Sequence, residues 1–140
     1  MSDDPLNAAP RRIRIDTLRT VDGLPFGASI ADLEALRGEP DKARENYTGE
    51  WELLYRDSIY RFFHDRLVEA TFPARHRFVI DSATVLSPYQ WLAGRDDVRD
   101  VARFRIAPGV GIAFDNRDPA NGSITVFEAG RWDGLLTERR

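Results

Sequence analysis

The feature that most constrains the fold is a change of apolar period near residue 50. Up to Pro40 the apolar residues recur at helical spacing, with Ile30, Leu33 and Leu36 on one stripe. Ser29 and Asp32 have the spacing of a capping box, and Gly38 followed by Pro40 supplies a stop, so a helix is expected from Ile30 to Arg37. From Glu50 the period falls to two. A two-residue turn at Asp57-Ser58 would pair Tyr55 with Tyr60 and Leu53 with Phe62. A three-residue loop at His64-Asp65-Arg66 would set Phe62 against Val68 and Arg61 against Glu69. That register gathers Trp51, Leu53, Tyr55, Tyr60, Phe62, Val68, Ala70 and Phe72 on one apolar face against the helix. The expected unit is a helix followed by a three-strand meander.

The second half repeats this order loosely. Ser87 and Pro88 open a short helix carrying Trp91 and Leu92 as far as Gly94, with a second helical turn through Val98 and Val101. Strands are expected at Phe104 to Ala107, at Val110 to Asp115 and, after the Asn121-Gly122 turn signal, at Ser123 to Glu128. Further strands are expected at Ile13 to Ile15, leading to an Asp22-Gly23 turn, and between Phe78 and Leu86. The fold class is therefore α+β: a mainly antiparallel sheet with one or two short helices packed on it. Two loosely repeated helix-meander halves, 24–80 and 81–135, remain open. At 140 residues one domain over 11–140 is the default, behind a flexible tail at 1–10.

Composition narrows the function. The chain has no cysteine, which removes disulfides, thiolate nucleophiles and Cys-type zinc sites. The start lacks a basic and apolar leader, and no apolar run approaches the length of a spanning helix, so a soluble cytoplasmic protein with no membrane partner is expected. Net charge is −3, and the bases, all arginine but Lys42, are scattered rather than striped, which argues against nucleic acid. Between residues 32 and 52, Asp32, Glu34, Glu39, Asp41, Glu45, Glu50 and Glu52 outnumber Arg37, Lys42 and Arg44. Such a stretch is either a solvated face or an acidic docking surface for a basic partner.

No enzyme motif emerges. His64 and His76 are too far apart for a metal motif, and His64 with Asp65 falls in the expected hairpin turn, where solvent leaves nothing to tune a pKa. Both read as ordinary surface histidines. No serine lies in a nucleophile elbow, and Gly109-Val110-Gly111 leads into a strand rather than a helix. Asp115-Asn116-Arg117-Asp118 has an arginine where a calcium loop needs a ligand. No cofactor and no metal are expected. The reverse face of the meander, with Leu54, Ile59, Phe63 and Leu67 among charged residues, carries more apolar surface than open water favours, so the second half, a chain terminus or a partner should cover it.

The run Phe26 to Asp41, with Leu54-Tyr55-Arg56-Asp57, Tyr60-Arg61-Phe62 and Leu67-Val68-Glu69, resembles the helix-plus-meander module of the SmpA/BamE-like and beta-lactamase-inhibitor-protein-like group. The small, acidic, aromatic-rich character is also similar to that of bacterial toxin immunity proteins. The resemblance implies a non-catalytic, cytoplasmic, immunity-type inhibitor that occludes a basic toxin domain. Its expected partner-binding residues are Glu34, Glu39, Asp41, Glu45, Glu50 and Glu52 for charge, with Tyr47, Leu54 and Phe63 as anchors. The alternatives are a general protein-interaction or assembly module of the same fold, and a small-molecule-binding or enzymatic domain with a pocket between the halves.

Overall fold

The computed structural model describes residues 10–115 and 122–137. Arg12–Asp16 (β1), Thr20–Val21 (β2) and Leu24–Pro25 (β3) form a small meander, followed by a helix at Ile30–Arg37 (α1). Four strands come next: Lys42–Glu45 (β4), Trp51–Tyr55 (β5), Ser58–Phe63 (β6) and Arg66–Pro73 (β7). After Arg77–Ile80 (β8), Ala83–Val85 (β9) and a helix at Pro88–Ala93 (α2), four more follow: Arg99–Val101 (β10), Phe104–Ala107 (β11), Ile112–Asp115 (β12) and Ser123–Phe127 (β13). A short helix at Asp133–Thr137 (α3) closes the described chain.

The α+β character and the dominance of antiparallel pairing agree with the sequence reading, but the strands make two sheets where one was expected. The smaller has five strands in the order β3-β2-β1-β8-β9, and the larger has eight in the order β10-β11-β12-β13-β7-β6-β5-β4. β1 and β8 run parallel, and every other pair is antiparallel. Each four-strand run of the large sheet is preceded by a helix, and the two runs meet where β7 pairs with β13, Ala70 opposite Val126.

The main core lies between the sheets. Ile13, Ile15, Phe78 and Ile80 from the small sheet pack with Leu53, Tyr60, Phe62, Phe72, Phe114 and Val126 from the large one. Leu33 of α1 and Leu92 of α2 fill the flanks. A second cluster, Val101, Ile106, Ala113, Phe127 and Leu136, lies apart from this core, with Trp132 stacked on Phe127.

Several local expectations are corrected. The first hairpin turns at Arg56-Asp57, so Leu53 stands opposite Tyr60 and Tyr55 opposite Ser58. The slip is two residues, which leaves every side chain on its expected face because strand side chains alternate with period two. The second hairpin has the two-residue turn His64-Asp65, both at positive φ (51° and 57°), the backbone of a type I′ turn. Phe62 then faces Leu67 rather than Val68, and a bulge restores Arg61 opposite Glu69 as expected. The bulge turns Leu67 into the main core and makes Val68 the extra residue. Leu36 is half exposed and does not join the core. Residues 99–101 form a strand, not a helical turn. Residues 1–9 of the expected tail, Asn121 of the expected turn and Asn116–Asp118 lie outside the described residues.

Candidate functional site

The helix α1 is fixed at both ends. The Ser29 side chain accepts from the Asp32 N–H and Asp32 answers on the Ser29 N–H, while the Asp65 carboxylate accepts from Ile30 N–H. At the other end Gly38 takes a positive φ of 79° and donates its N–H to the Glu34 carbonyl. Tyr55 donates its hydroxyl to the Gly38 carbonyl at 2.8 Å, pinning the helix stop to β5. The chain then passes Pro40 and enters β4, the outermost strand of the large sheet.

Between α1 and the β4–β5 hairpin these elements leave a groove of about 500 Å³. Ile30, Pro40, Trp51 and Leu53 give it an apolar lining, Glu34, Glu39 and Asp41 an acidic one, and Lys42 and Ala43 complete the β4 side. Trp51 is 43% exposed there, an indole held beside open groove. Burial, followed by Glu34 and Asp41, raises the pKa of the Tyr55 phenol above its ordinary value against the opposing pull of Arg37. Glu45 stands opposite Trp51 at the end of β4. Tyr47 projects wholly into solvent from the hairpin tip. The tip is not loose: the Asn46 carboxamide oxygen accepts from the Thr48 N–H, the Thr48 hydroxyl and the Glu50 N–H.

Glu50 and Glu52 do not join that field. They lie on the opposite face of the sheet, in a row of alternating charge. Arg44 and Arg61 each donate to Glu52 at 2.8 Å, Arg61 also reaches Glu69 at 2.7 Å, and Arg131 bridges Glu69 at 2.8 Å and Glu50 at 2.7 Å. Trp132 donates its indole N–H to Glu69, and Thr71 and Thr125 share a hydrogen bond alongside. Burial raises the Glu52 carboxyl pKa, but hydrogen bonds from Arg44 and Arg61 outweigh it and the net pKa is lowered. Glu50 is lowered chiefly by its hydrogen bond from Arg131. Three glutamates against three arginines leave this row electrically neutral.

Leu54 and Phe63 share that opposite face by strand alternation, Leu54 partly buried beside Ile59 and Phe63 half exposed against the His64 ring. The residues singled out in the sequence thus divide. Glu34, Glu39, Asp41, Glu45 and Tyr47 belong to the groove, the edge strand and its tip, whereas Glu50, Glu52, Leu54 and Phe63 belong to the reverse face. The Arg131–Leu136 segment covers part of that face, anchored by Arg131 on Glu50 and Glu69.

A polar knot that the sequence did not reveal ties the two sheets together. Asp22, 5% exposed, accepts from both terminal guanidinium nitrogens of Arg11, pairs with Arg37 and accepts from the Tyr60 hydroxyl. Arg11 also pairs with Asp57. Burial works against the Arg11 charge, yet its hydrogen bonds to Asp22 and Asp57 hold its pKa above the ordinary value. Burial, then Asp22, raises the Tyr60 phenol. His76 is buried beside the knot, not on the surface: its Nδ1 accepts from the Arg11 N–H at 3.0 Å and its Nε2–H points to the Asp57 carbonyl at 3.3 Å. Burial lowers its pKa, with Arg11 and Arg75 acting in the same sense against Asp57. The Asp22-Gly23 turn signal was visible in the sequence, but nothing local marks its aspartate as buried. The Arg11 guanidinium and the Tyr60 hydroxyl are satisfied by Asp22 and Asp57, while the buried Nε of Arg37 has no hydrogen-bond partner; the arrangement suits a structural clamp.

Among the described residues no group of three or more His, Cys, Asp or Glu side chains is placed to hold a metal ion. No described helix is long and apolar enough to cross a membrane. Comparison with known protein families, curated proteins and solved structures finds no match to the chain.

Proposed function

We propose that the chain is a non-catalytic protein-binding domain, most concretely a cytoplasmic immunity-type inhibitor that docks on a basic toxin domain. The observation that carries this reading is the groove between α1 and β4–β5, where an apolar lining including exposed Trp51 is flanked by Glu34, Glu39 and Asp41. Acids at a rim draw in a basic partner, and an aromatic surface that loses water on contact prolongs the complex. Tyr47, wholly exposed at the adjoining hairpin tip, is the second anchor. The sequence resemblance to a helix-plus-meander group and the overall similarity to immunity proteins support the same reading.

The test is affinity capture from the native host, identification of the copurifying chain, and association kinetics at two salt concentrations. Glu39→Lys with Asp41→Lys should slow association, and salt should slow it for the parent over a screening length of ~10 Å at 0.1 M. Trp51→Ala and Tyr47→Ala should instead hasten dissociation. An on-rate indifferent to both salt and charge reversal overturns the proposal.

A further inference from the structure

Among the described residues β4 has a neighbour on one side only. Its inner edge pairs with β5 from Lys42 opposite Leu54 to Glu45 opposite Trp51, and the order of the large sheet ends there. All four of its residues are exposed. Just past its end the Asn46 N–H donates to the Glu50 carbonyl. Counting back in twos along an antiparallel ladder, Arg44 also bonds inward, so the N–H groups of Ala43 and Glu45 turn outward. The outward row ends short of Asp41, whose N–H donates inward to the Leu54 carbonyl, and from Lys42 to Glu45 it is a template for one more strand.

Edge charges normally keep such a template from pairing indiscriminately. Here they also write a pattern: Asp41, Lys42, Ala43, Arg44 and Glu45 read acid, base, small, base, acid. Directly opposed residues on neighbouring strands favour opposite charge and disfavour like charge. The strand that fits therefore reads base, acid, small apolar, acid, base, and because that pattern is its own reverse it fits in either direction. Its flanking bases fall near Asp41 and Glu45, and Asp41 belongs to the acidic wall of the groove.

We infer that the partner engages this protein by adding an extended segment of that alternating pattern to the free edge of β4, with its side chains next to the groove. The inference rests on the docking reading above and gives it a binding mode.

The probe is the peptide acetyl-Thr-Lys-Glu-Val-Glu-Lys-Thr-amide, with acetyl-Thr-Glu-Lys-Val-Lys-Glu-Thr-amide as a control of equal composition and charge. Each is titrated to millimolar concentration into the isotope-labelled full chain, and amide shifts and hydrogen exchange are followed. The first peptide should shift amides around residues 41–46 and slow exchange at Ala43 and Glu45. The control should bind about tenfold more weakly, because four cross-strand pairs change from opposite to like charge. Ala43→Pro removes an outward donor and should abolish binding without lowering the melting temperature. Should that variant unfold, Lys42→Glu with Glu45→Lys replaces it: two of the four pairs invert, and the preference between the peptides should vanish.

Absence of saturable shifts, equal binding of both peptides by the parent, or binding retained in Ala43→Pro overturns the inference. So does protection of the same amides that grows with protein concentration without peptide, which would make a second copy the occupant. The two proposals fail separately. If the captured partner is lost on Glu34→Lys with Glu39→Lys, which leave the β4 edge untouched, but held by Ala43→Pro, strand addition fails and groove docking stands. If Ala43→Pro releases the partner while that groove reversal does nothing, the reverse holds.

Discussion

Tyr60 of the large sheet donates its hydroxyl to Asp22 of the small one, a polar tie running through an otherwise apolar interlayer. Asp22 also pairs with Arg11 and Arg37, so the carboxylate and the phenol contribute unequally. Asp22→Ala leaves two guanidinium groups without their buried partner and is expected to cost about 3–5 kcal/mol. Tyr60→Phe removes one donor from a carboxylate that keeps both arginines and should cost about 1–2 kcal/mol. Urea unfolding of the two variants measures the difference, and equal losses would show that the knot is not centred on Asp22.

The knot also predicts a response to pH. The pKa of His76 is lowered below its ordinary 6.5 in the folded chain, so the unfolded chain takes up the proton first as pH falls. The contribution of neutral His76 is complete above pH 6.5 and is lost as pH falls through the lower folded value. Protonation would also remove the Nδ1 acceptor from the Arg11 N–H. Urea midpoints should therefore decline from pH 7 to pH 5, and His76→Gln should flatten that part of the curve. A steeper loss should follow below the ordinary glutamate value of 4.5, as Glu50 and Glu52 protonate and release Arg131, Arg44 and Arg61.

The two groups of acids should separate by what they affect. Glu52→Lys places a third cation between Arg44 and Arg61 in a site only 7% exposed, and a loss of about 3 kcal/mol or more is expected. Glu39→Lys and Asp41→Lys, both exposed, should stay within about 0.5 kcal/mol of the parent. Thermal unfolding compared with partner association rates checks this: the first substitution should act on stability, the second pair on encounter.

Packing gives a further contrast. Leu53 is 2% exposed and Leu36 is 51% exposed although both were read as core. Leu53→Ala should cost about 2–5 kcal/mol through the cavity it opens, and Leu36→Ala less than about 1 kcal/mol. Chemical denaturation of both variants decides whether α1 sits on β5 through Leu33 alone.

At the β6–β7 turn, His64 holds a positive φ that glycine or asparagine adopts at lower cost. His64→Gly should raise stability by about 0.5 kcal/mol and leave partner binding intact, whereas Asp65→Gly loses the cap on Ile30 and should gain nothing. Thermal scans of the two variants test the pair.

What could be read from the sequence follows the range of the forces involved. α1 was legible to its ends because Ser29, Asp32 and Gly38 act within a few residues of one another. The faces of β5 and β6 were legible because alternation survives a slip of two, while the slip itself turned on whether Ser58 or Arg56 belongs to the turn. Leu67 was assigned to the wrong face because a bulge leaves no compositional mark. β4 was hidden because Lys42-Ala43-Arg44-Glu45 has no apolar alternation, each of its residues being exposed. For the site, charge and Tyr47 were visible, but that Glu50 and Glu52 are neutralised depends on Arg131, distant in the chain and close in space. Asp22 was missed for the same reason, since its partners Arg37 and Tyr60 arrive from other elements.

The meeting of β7 with β13 also sets an order of assembly. Glu69 to Pro73 finds its partners only at Ser123 to Phe127, by which point one helix and five other strands have intervened. On a ribosome the first half-sheet can form while the second has yet to be made, and β7 then waits with its outer hydrogen-bonding edge open. The Gly27-Ala28 segment shields that edge at Leu67 but not beyond it. Newly made chains are therefore most exposed to mispairing with one another along Glu69 to Pro73, a stretch that in the finished molecule lies in the middle of the sheet.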